Sequence, residues 1–290
     1  MKLPLFKRTN ETFGIQQKLT NTISRLLLIS LSCLGILAIA ISYFSTHKLL
    51  KQTFSETAKI AASKVGYELQ SFANIVTEIG CDSTFTDTSL SVDDKQKIID
   101  QKVETYDLER GNLIGSDGIS IFDGKDYSER DYFQAAMKGE TFISDPLISK
   151  ITGDLTIIVA APIWEDGVPG TTVMGVVYIV PDPDILNDTV STISVSKHSS
   201  AYMINAEGTT IANKNIDSVM QQENTTKDAE TDSSLKKLAS LEGKMMKGES
   251  GFNTYHYHGK KKFLAYAPVP QSNNWSLAID APTSDFMLTT

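Results

Sequence analysis

Apolar and polar positions divide the chain into three textures. Residues 26–46 read LLLISLSCLGILAIAISYFST, an uncharged run between Arg25 and His47. A helix of that length reaches roughly 30 Å, the thickness of a bilayer's hydrocarbon core. A cleaved signal peptide would have a shorter apolar region, about 7 to 15 residues, followed by small residues. Here Tyr43 and Phe44 mark an interface and the chain continues into a further helical pattern, so the run reads as a transmembrane helix. In 47–89, Leu50, Phe54, Ala58, Ala61, Val65, Leu69, Phe72, Val76 and Ile79 recur three or four apart, without proline and with Gly66 as the one glycine before Gly80. That spacing predicts a long amphipathic stalk helix of roughly 50 Å. Its stripe suits burial against its own domain and pairing with a second subunit equally.

Beyond the stalk the elements shorten. The pattern predicts a helix over 95–106, turns between short strands over the Gly- and Asp-rich 107–128, and a short helix over 132–138 ended by Gly139. LTIIVAAPI (155–163) and TVMGVVYIV (172–180), rich in β-branched residues and joined by a turn, predict adjacent antiparallel strands. A second cycle follows, with a helix at 185–193, a strand at 200–204, a polar loop at 221–234 and a helix at 235–247. Strands at 251–257, 261–269 and 275–281 close it. Both cycles run a strand into Ala-Pro (Ala161-Pro162, Ala267-Pro268), then a polar turn and one more strand. The fold class is therefore α+β: a long N-terminal helix, preceded by one transmembrane helix, carrying two similar antiparallel-sheet modules over 90–181 and 182–285.

Charge orients this plan. Residues 1–25 hold five basic residues against one acid, so this head is +4; with the whole chain at -8, the remainder is -12. The positive-inside rule places the head in the cytoplasm and residues from 47 onward outside. The acidic body argues against nucleic acid as a partner. Cys33 in the apolar run and Cys81 beyond it are poorly placed for an intramolecular disulfide, leaving cohesion to the core.

The most enzyme-like feature is His256-Tyr257-His258. Alternate residues of a strand share a face, so two imidazoles could share a metal. No third ligand stands nearby, and Gly259 with three lysines reads as a solvated hairpin turn. No phosphate loop, dinucleotide fingerprint, nucleophile elbow or zincin motif occurs. The expectation is no catalysis, no metal and no cofactor.

The run DGKDYSERDYFQAAMKGETFISDPLISKITGDLTIIVAAPI (123–163), with its Arg-x-Tyr-Phe, Ser-Asp-Pro and Gly-Asp steps, resembles the double Cache domains of bacterial chemoreceptors and related sensor kinases. The order of parts and the last strand with Trp275 (NNWSLAIDAP) fit the same family. The resemblance implies two PAS-like modules, a membrane-distal one (90–181) holding a small-molecule ligand and a proximal one (182–285) passing the signal on. It implies a methyl-accepting chemotaxis protein in the cell membrane, and the stalk stripe adds the expectation of a homodimer through that helix. A histidine kinase, a cyclic-dinucleotide enzyme or a tethered binding protein are the alternatives. On this plan 286–290 begins a second membrane segment, and a cytoplasmic signalling module follows outside the chain.

In amino-acid-binding members of that family the matching stretch supplies an Arg and an aromatic for the ligand carboxylate, and a further aromatic. These map onto Arg130, Tyr132 and Phe133. Lys125 stands where such members have Tyr. Val180 stands where they have the Asp that holds the ligand ammonium, and Asp182 is the nearest acid. A carboxylate without an amino group, or a neutral heterocycle, is then as consistent as an amino acid.

The residues suit that chemistry. Arginine offers a rigid fork of donors to a planar carboxylate. Tyr132 adds a hydroxyl, Phe133 or Tyr178 a flat wall, and Lys125 positive charge. The plainer alternatives are a surface pair of Arg130 with Glu129 or Asp131, and packing for Tyr178. Tyr132 and Phe133 are adjacent, so one of them is expected in the core. Asp145 before Pro146 reads as a turn-former or cap.

Overall fold

The computed structural model describes residues 14–149, 151–152, 155–182 and 184–286. The first thirteen residues of the head, the Gly153-Asp154 step and all but Phe286 of the expected returning segment 286–290 lie outside the described residues. The chain forms two compact units, Met1–Gln52 and Thr53–Thr290. Helix α1 (Ile15–Gly80) passes without a break from the apolar run into the stalk pattern, so the expected boundary at 46/47 has no structural mark.

In the first unit the apolar side chains of α1 face outward, with Leu28 65% and Ile36 69% exposed. Among the described residues α1 contains the one stretch long and apolar enough to cross a membrane. In the second unit the stripe is buried: Phe54, Ala58, Val65, Leu69, Val76 and Ile79 are all at most 2% exposed. Burial against its own domain therefore occupies the stripe, and the opposite face presents Ile60 and Tyr67. The helix ends at Gly80, within the 47–89 stalk region and where the apolar stripe ends, and the Asp82 carboxylate caps a following 3-10 turn by accepting the Thr84 N–H. Two glycines set the packing on α1. A Cβ on Gly66 would lie 2.7 Å from the Pro270 carbonyl oxygen, and one on Gly80 would collide with the Pro162 carbonyl.

The first module comprises α2 (Val92–Thr105), β1 (Arg110–Gly115), α3 (Asp131–Ala136), β2 (Phe142–Ile143), β3 (Leu147–Ile148), β4 (Leu155–Thr156), β5 (Val159–Trp164) and β6 (Val173–Val180). Its main sheet has the antiparallel order β1-β6-β5-β2. The expected strand over 155–163 is split: β4 pairs with β3, and only β5 joins the main sheet. The Ser144 side chain explains the break, because its hydroxyl accepts the Ile158 N–H (2.9 Å).

The second module comprises α4 (Ile185–Thr192), β7 (Ser200–Ile204), β8 (Thr210–Asn213), α5 (Ile216–Met220), α6 (Thr225–Asp228), α7 (Lys236–Met245), β9 (Gly251–Tyr257), β10 (Lys260–Pro268) and β11 (Ser276–Pro282). Its sheet order is β8-β7-β11-β10-β9. The polar stretch 221–234 is more ordered than expected: it contains α6, capped by Asn224, and a 3-10 turn at Ser233–Leu235. Strand β8 is too short to show an alternation in the sequence.

The two sheets share one register. Ala160, Ala161 and Pro162 face Tyr178, Val177 and Val176, while Tyr266, Ala267 and Pro268 face Ala278, Leu277 and Ser276. On the other side of the central strand, Arg110 pairs with Val180 and Ser200 with Asp280. The modules are tied by side-chain hydrogen bonds. The Asp145 carboxylate accepts the Trp275 indole N–H and an Asn205 amide N–H (2.9 Å), and Asn273 donates to the Ile143 carbonyl (2.6 Å). Asp145 is thus an inter-module tie in place of the expected turn-former.

Candidate ligand site

Arg130 is the residue before α3, with extended backbone (φ -78, ψ 134) and a partly buried side chain. It and Tyr132 line a cleft of about 550 Å³ at the junction of the modules, together with Ser144, Asp145, Glu207 and Asn273. Tyr132 is 2% exposed and meets the Tyr178 ring edge-on at 5.6 Å; Tyr178 meets Tyr127 at 6.0 Å. Such edge-to-face contacts match the positive rim of one ring to the negative face of the next.

Behind the rings runs a polar chain. Asn112 donates to the Tyr178 hydroxyl (3.1 Å), Ser120 donates to Asn112 (2.8 Å), and Tyr127 donates to Asp123 (2.9 Å). Burial, followed by the neighbouring Tyr178, pushes the Tyr132 hydroxyl above the usual phenol range; burial also raises Tyr178. Both are therefore neutral donors at neutral pH. Burial works against the charged form of Asp123, yet the Lys125 backbone N–H and the Ser120 and Tyr127 hydroxyls hold its carboxyl below the ordinary value.

Tyr132 and Phe133 are both buried in one cluster with Ala136, Val176 and Tyr178, which corrects the expectation that only one enters the core. Adjacent helical residues are about 100° apart, and a short helix lying on a sheet can bury both. Phe133 does not line the cleft. Tyr178 backs it through Tyr132. Lys125 is exposed on a turn whose carbonyl accepts the Ser120 N–H (2.9 Å). Asp182 is not brought to this group. β6 has ended at Val180, and Asp182 lies exposed, accepting the Asp184 N–H (2.9 Å), beside a separate cleft lined by Lys64, Phe72 and Tyr106.

Arg110 escaped the sequence reading. It shares the sheet face of Asn112 and Ile114, opposite Val180, and its charge acts on both Tyr132 and Tyr178. Its guanidinium donates to Ser149 (2.9 Å) and Glu109 (3.0 Å), while the buried Nε finds no partner among the described residues. The alternation Arg110, Asn112, Ile114 was the signal that could have placed it. The histidine pair is separated by geometry. His256 lies on β9, but His258 and Gly259 form a two-residue turn with φ 47 and 74, so the common strand face is lost.

The family model described as a Cache domain, of the double type (dCache_1), matches residues 41–290. The chain belongs to the Cache domain family. No curated protein matches this Cache chain by sequence. Among solved structures it is similar to the ligand-binding domain of the Pseudomonas fluorescens chemoreceptor CtaA in complex with L-serine, at 17% identity and TM-score 0.62, over 82% of this chain and 99% of that one. The sensory domain of the Campylobacter jejuni chemoreceptor Tlp3 with isoleucine bound is similar at 13% identity and TM-score 0.62, over 83% and 96%. The extracellular domain of mmHK1S-Z2, described as a histidine kinase, is similar at 14% identity and TM-score 0.61, over 81% and 97%. At such identities the likeness carries the double Cache fold, and the ligand must be argued from this chain's own residues.

Proposed function

We propose that this Cache chain is the extracytoplasmic sensor of a transmembrane chemotaxis receptor, and that its first, membrane-distal module binds a small carboxylate. One observation carries the ligand class: the Arg130 guanidinium and the buried Tyr132 hydroxyl line one cleft, and Arg110 is near enough for its charge to act on the same hydroxyl. A planar anion there would receive charge-assisted hydrogen bonds from a fixed fork and a neutral phenol donor, with Phe142 as an apolar wall. Val180, opposite Arg110, offers nothing to an ammonium group, so a carboxylate without an amino group is favoured over an amino acid.

The cleft also gives the ligand a route onward. Asp145 lines it and holds Trp275 of the second module, so closing the cleft on a ligand changes the strain on that tie. The ligand then shifts the weights of two packings, and the second module passes the change to α1. The apolar run over 26–46 anchors the protein with its basic head inside. A second copy would meet α1 on the face of Ile60 and Tyr67, since the opposite stripe is occupied. The similarity to mmHK1S-Z2 supports a second reading, the same sensor on a kinase output.

The test is thermal unfolding of the full chain in detergent with short carboxylates, amino acids, purines and pyrimidines. Carboxylates should raise the midpoint by mass action, and Arg130→Ala should abolish that rise while the fold persists. A rise with neutral heterocycles alone, or one unchanged in Arg130→Ala, would sink the reading.

A further inference from the structure

The second module holds a larger cavity, about 610 Å³, lined among others by Tyr202, Thr225, Asp228, Glu242, Tyr257 and Asp280. Its most unusual member is on α7. That helix buries Leu238, Leu241 and Met245 against the sheet, and Glu242 falls inside the same apolar face at 2% exposure. A carboxylate there loses its hydration, which costs several kcal/mol unless both oxygens find donors. One does: the Tyr202 hydroxyl donates to Oε1 (2.8 Å). Oε2 is buried, on a side chain that lines the cavity, and makes no hydrogen bond of normal geometry among the described residues, although the Thr225 hydroxyl is near enough to favour the charged form.

The surroundings define what could complete it. Among the described lining residues four are acids, Glu223, Asp228, Glu242 and Asp280, against two bases, Lys227 and Lys262. Lys262 is already committed: its ammonium donates to Asp280 (2.8 Å), which also accepts from Tyr255 (2.8 Å) and Ser200 (2.9 Å). The same ammonium lies 5.5 Å from the Tyr257 ring centroid, so this wall already accommodates a cation over an aromatic face. Asp280 is thus satisfied from within the protein, and Glu242 is the buried acid left with an open oxygen.

We propose that the cavity of the second module is a ligand site of its own, taking a small organic ammonium ion whose N–H groups pair with Glu242 Oε2, with Tyr202 and Tyr257 as its aromatic walls. The reading is independent of the carboxylate site in the first module. The two sites would let one receptor respond to an anion and a cation through different modules.

The experiment uses the full chain in detergent at pH 8, titrated calorimetrically with ethylamine, ethanolamine and putrescine, and with ethylene glycol and acetate as controls. At least one amine should bind and raise the unfolding midpoint, in the wild type and in Arg130→Ala alike, while ethylene glycol does neither. Glu242→Gln, which keeps the shape of the side chain, should weaken that amine at least about tenfold, the usual scale for losing one charged hydrogen-bond partner. Near-UV circular dichroism reports whether Glu242→Gln is folded, and Glu242→Asp, with the charge withdrawn by one methylene, should fall between the two. Absence of binding by all three amines, or equal affinity in Glu242→Gln, would overturn the proposal. Loss of amine binding in Arg130→Ala would place the amine in the first module and overturn it as well.

Discussion

The two modules have one sheet register and differ in charge at matched positions. In the first, the strand pair flanking the interior sets Arg110 against Val180; in the second, the same step sets Ser200 against Asp280. The first brings Arg130 and Tyr132 into a cleft with Glu129, Asp131, Asp145 and Glu207, and the second brings Glu242, with one oxygen unpaired among the described residues, into a cavity with Tyr202 and Tyr257. On the two proposals above, the fold supplies a sheet face with a helical cover and aromatic walls, and leaves the sign of the ligand to a few side chains. A shared fold would then be a poor guide to the ligand, even between two halves of one chain.

The comparison breaks most readily at the joint. Asp145→Ala should remove the acceptor for Trp275 and Asn205 and leave a buried indole N–H unpaired, costing about 2–4 kcal/mol. Denaturant unfolding should show this loss, and an unchanged midpoint would mean that the modules hold together without the tie. The next effect sharpens the contrast in charge. Burial, opposed by hydrogen bonds from Tyr202 and Thr225 and reinforced by Asp228, raises the Glu242 carboxyl from 4.5 to about 7. Between those values the native state keeps a proton that the unfolded chain has released, so stability falls as pH rises through this window and levels off above about 8. The fall attributable to Glu242 is of the order of 3 kcal/mol. Glu242→Gln should flatten it, measured as unfolding free energy from pH 5 to 8; an unaltered slope would assign the titration elsewhere. The smallest effect concerns Lys125. Exposed on its turn, it should change carboxylate affinity less than twofold and stability by under about 0.5 kcal/mol when replaced by Ala. A larger change would return it to the site.

Much of the architecture was legible because it rests on periodicity. The apolar run, the stalk stripe and the strand pairs ending in Ala-Pro are patterns of many residues, and they reappear as α1, β5–β6 and β10–β11. What escaped depends on single side chains meeting across long separations. Nothing local in LTIIVAAPI shows that Ser144 interrupts it. Glu242 reads as an ordinary charge on α7 until the helix is seen to turn it inward, and Lys262 reads as hairpin solvent until Asp280 claims it. At the candidate site, Arg130 and Tyr132 came from the resemblance and do share a cleft, whereas Asp182 was tied to them only by nearness in sequence. A strand that stops two residues early was enough to carry it away.

The two glycine contacts on α1 make that helix a gauge. Gly66 receives Pro270 of the second module and Gly80 receives Pro162 of the first, fourteen positions apart, roughly 21 Å along an unstretchable rod. No proline intervenes between them to act as a hinge. The carbonyl oxygens seat against bare backbone, where a side chain could have yielded and here there is none. Any change in the spacing or tilt of the modules must then slip at one seat or turn the rod in both, and a motion of either kind is delivered to the helix whole.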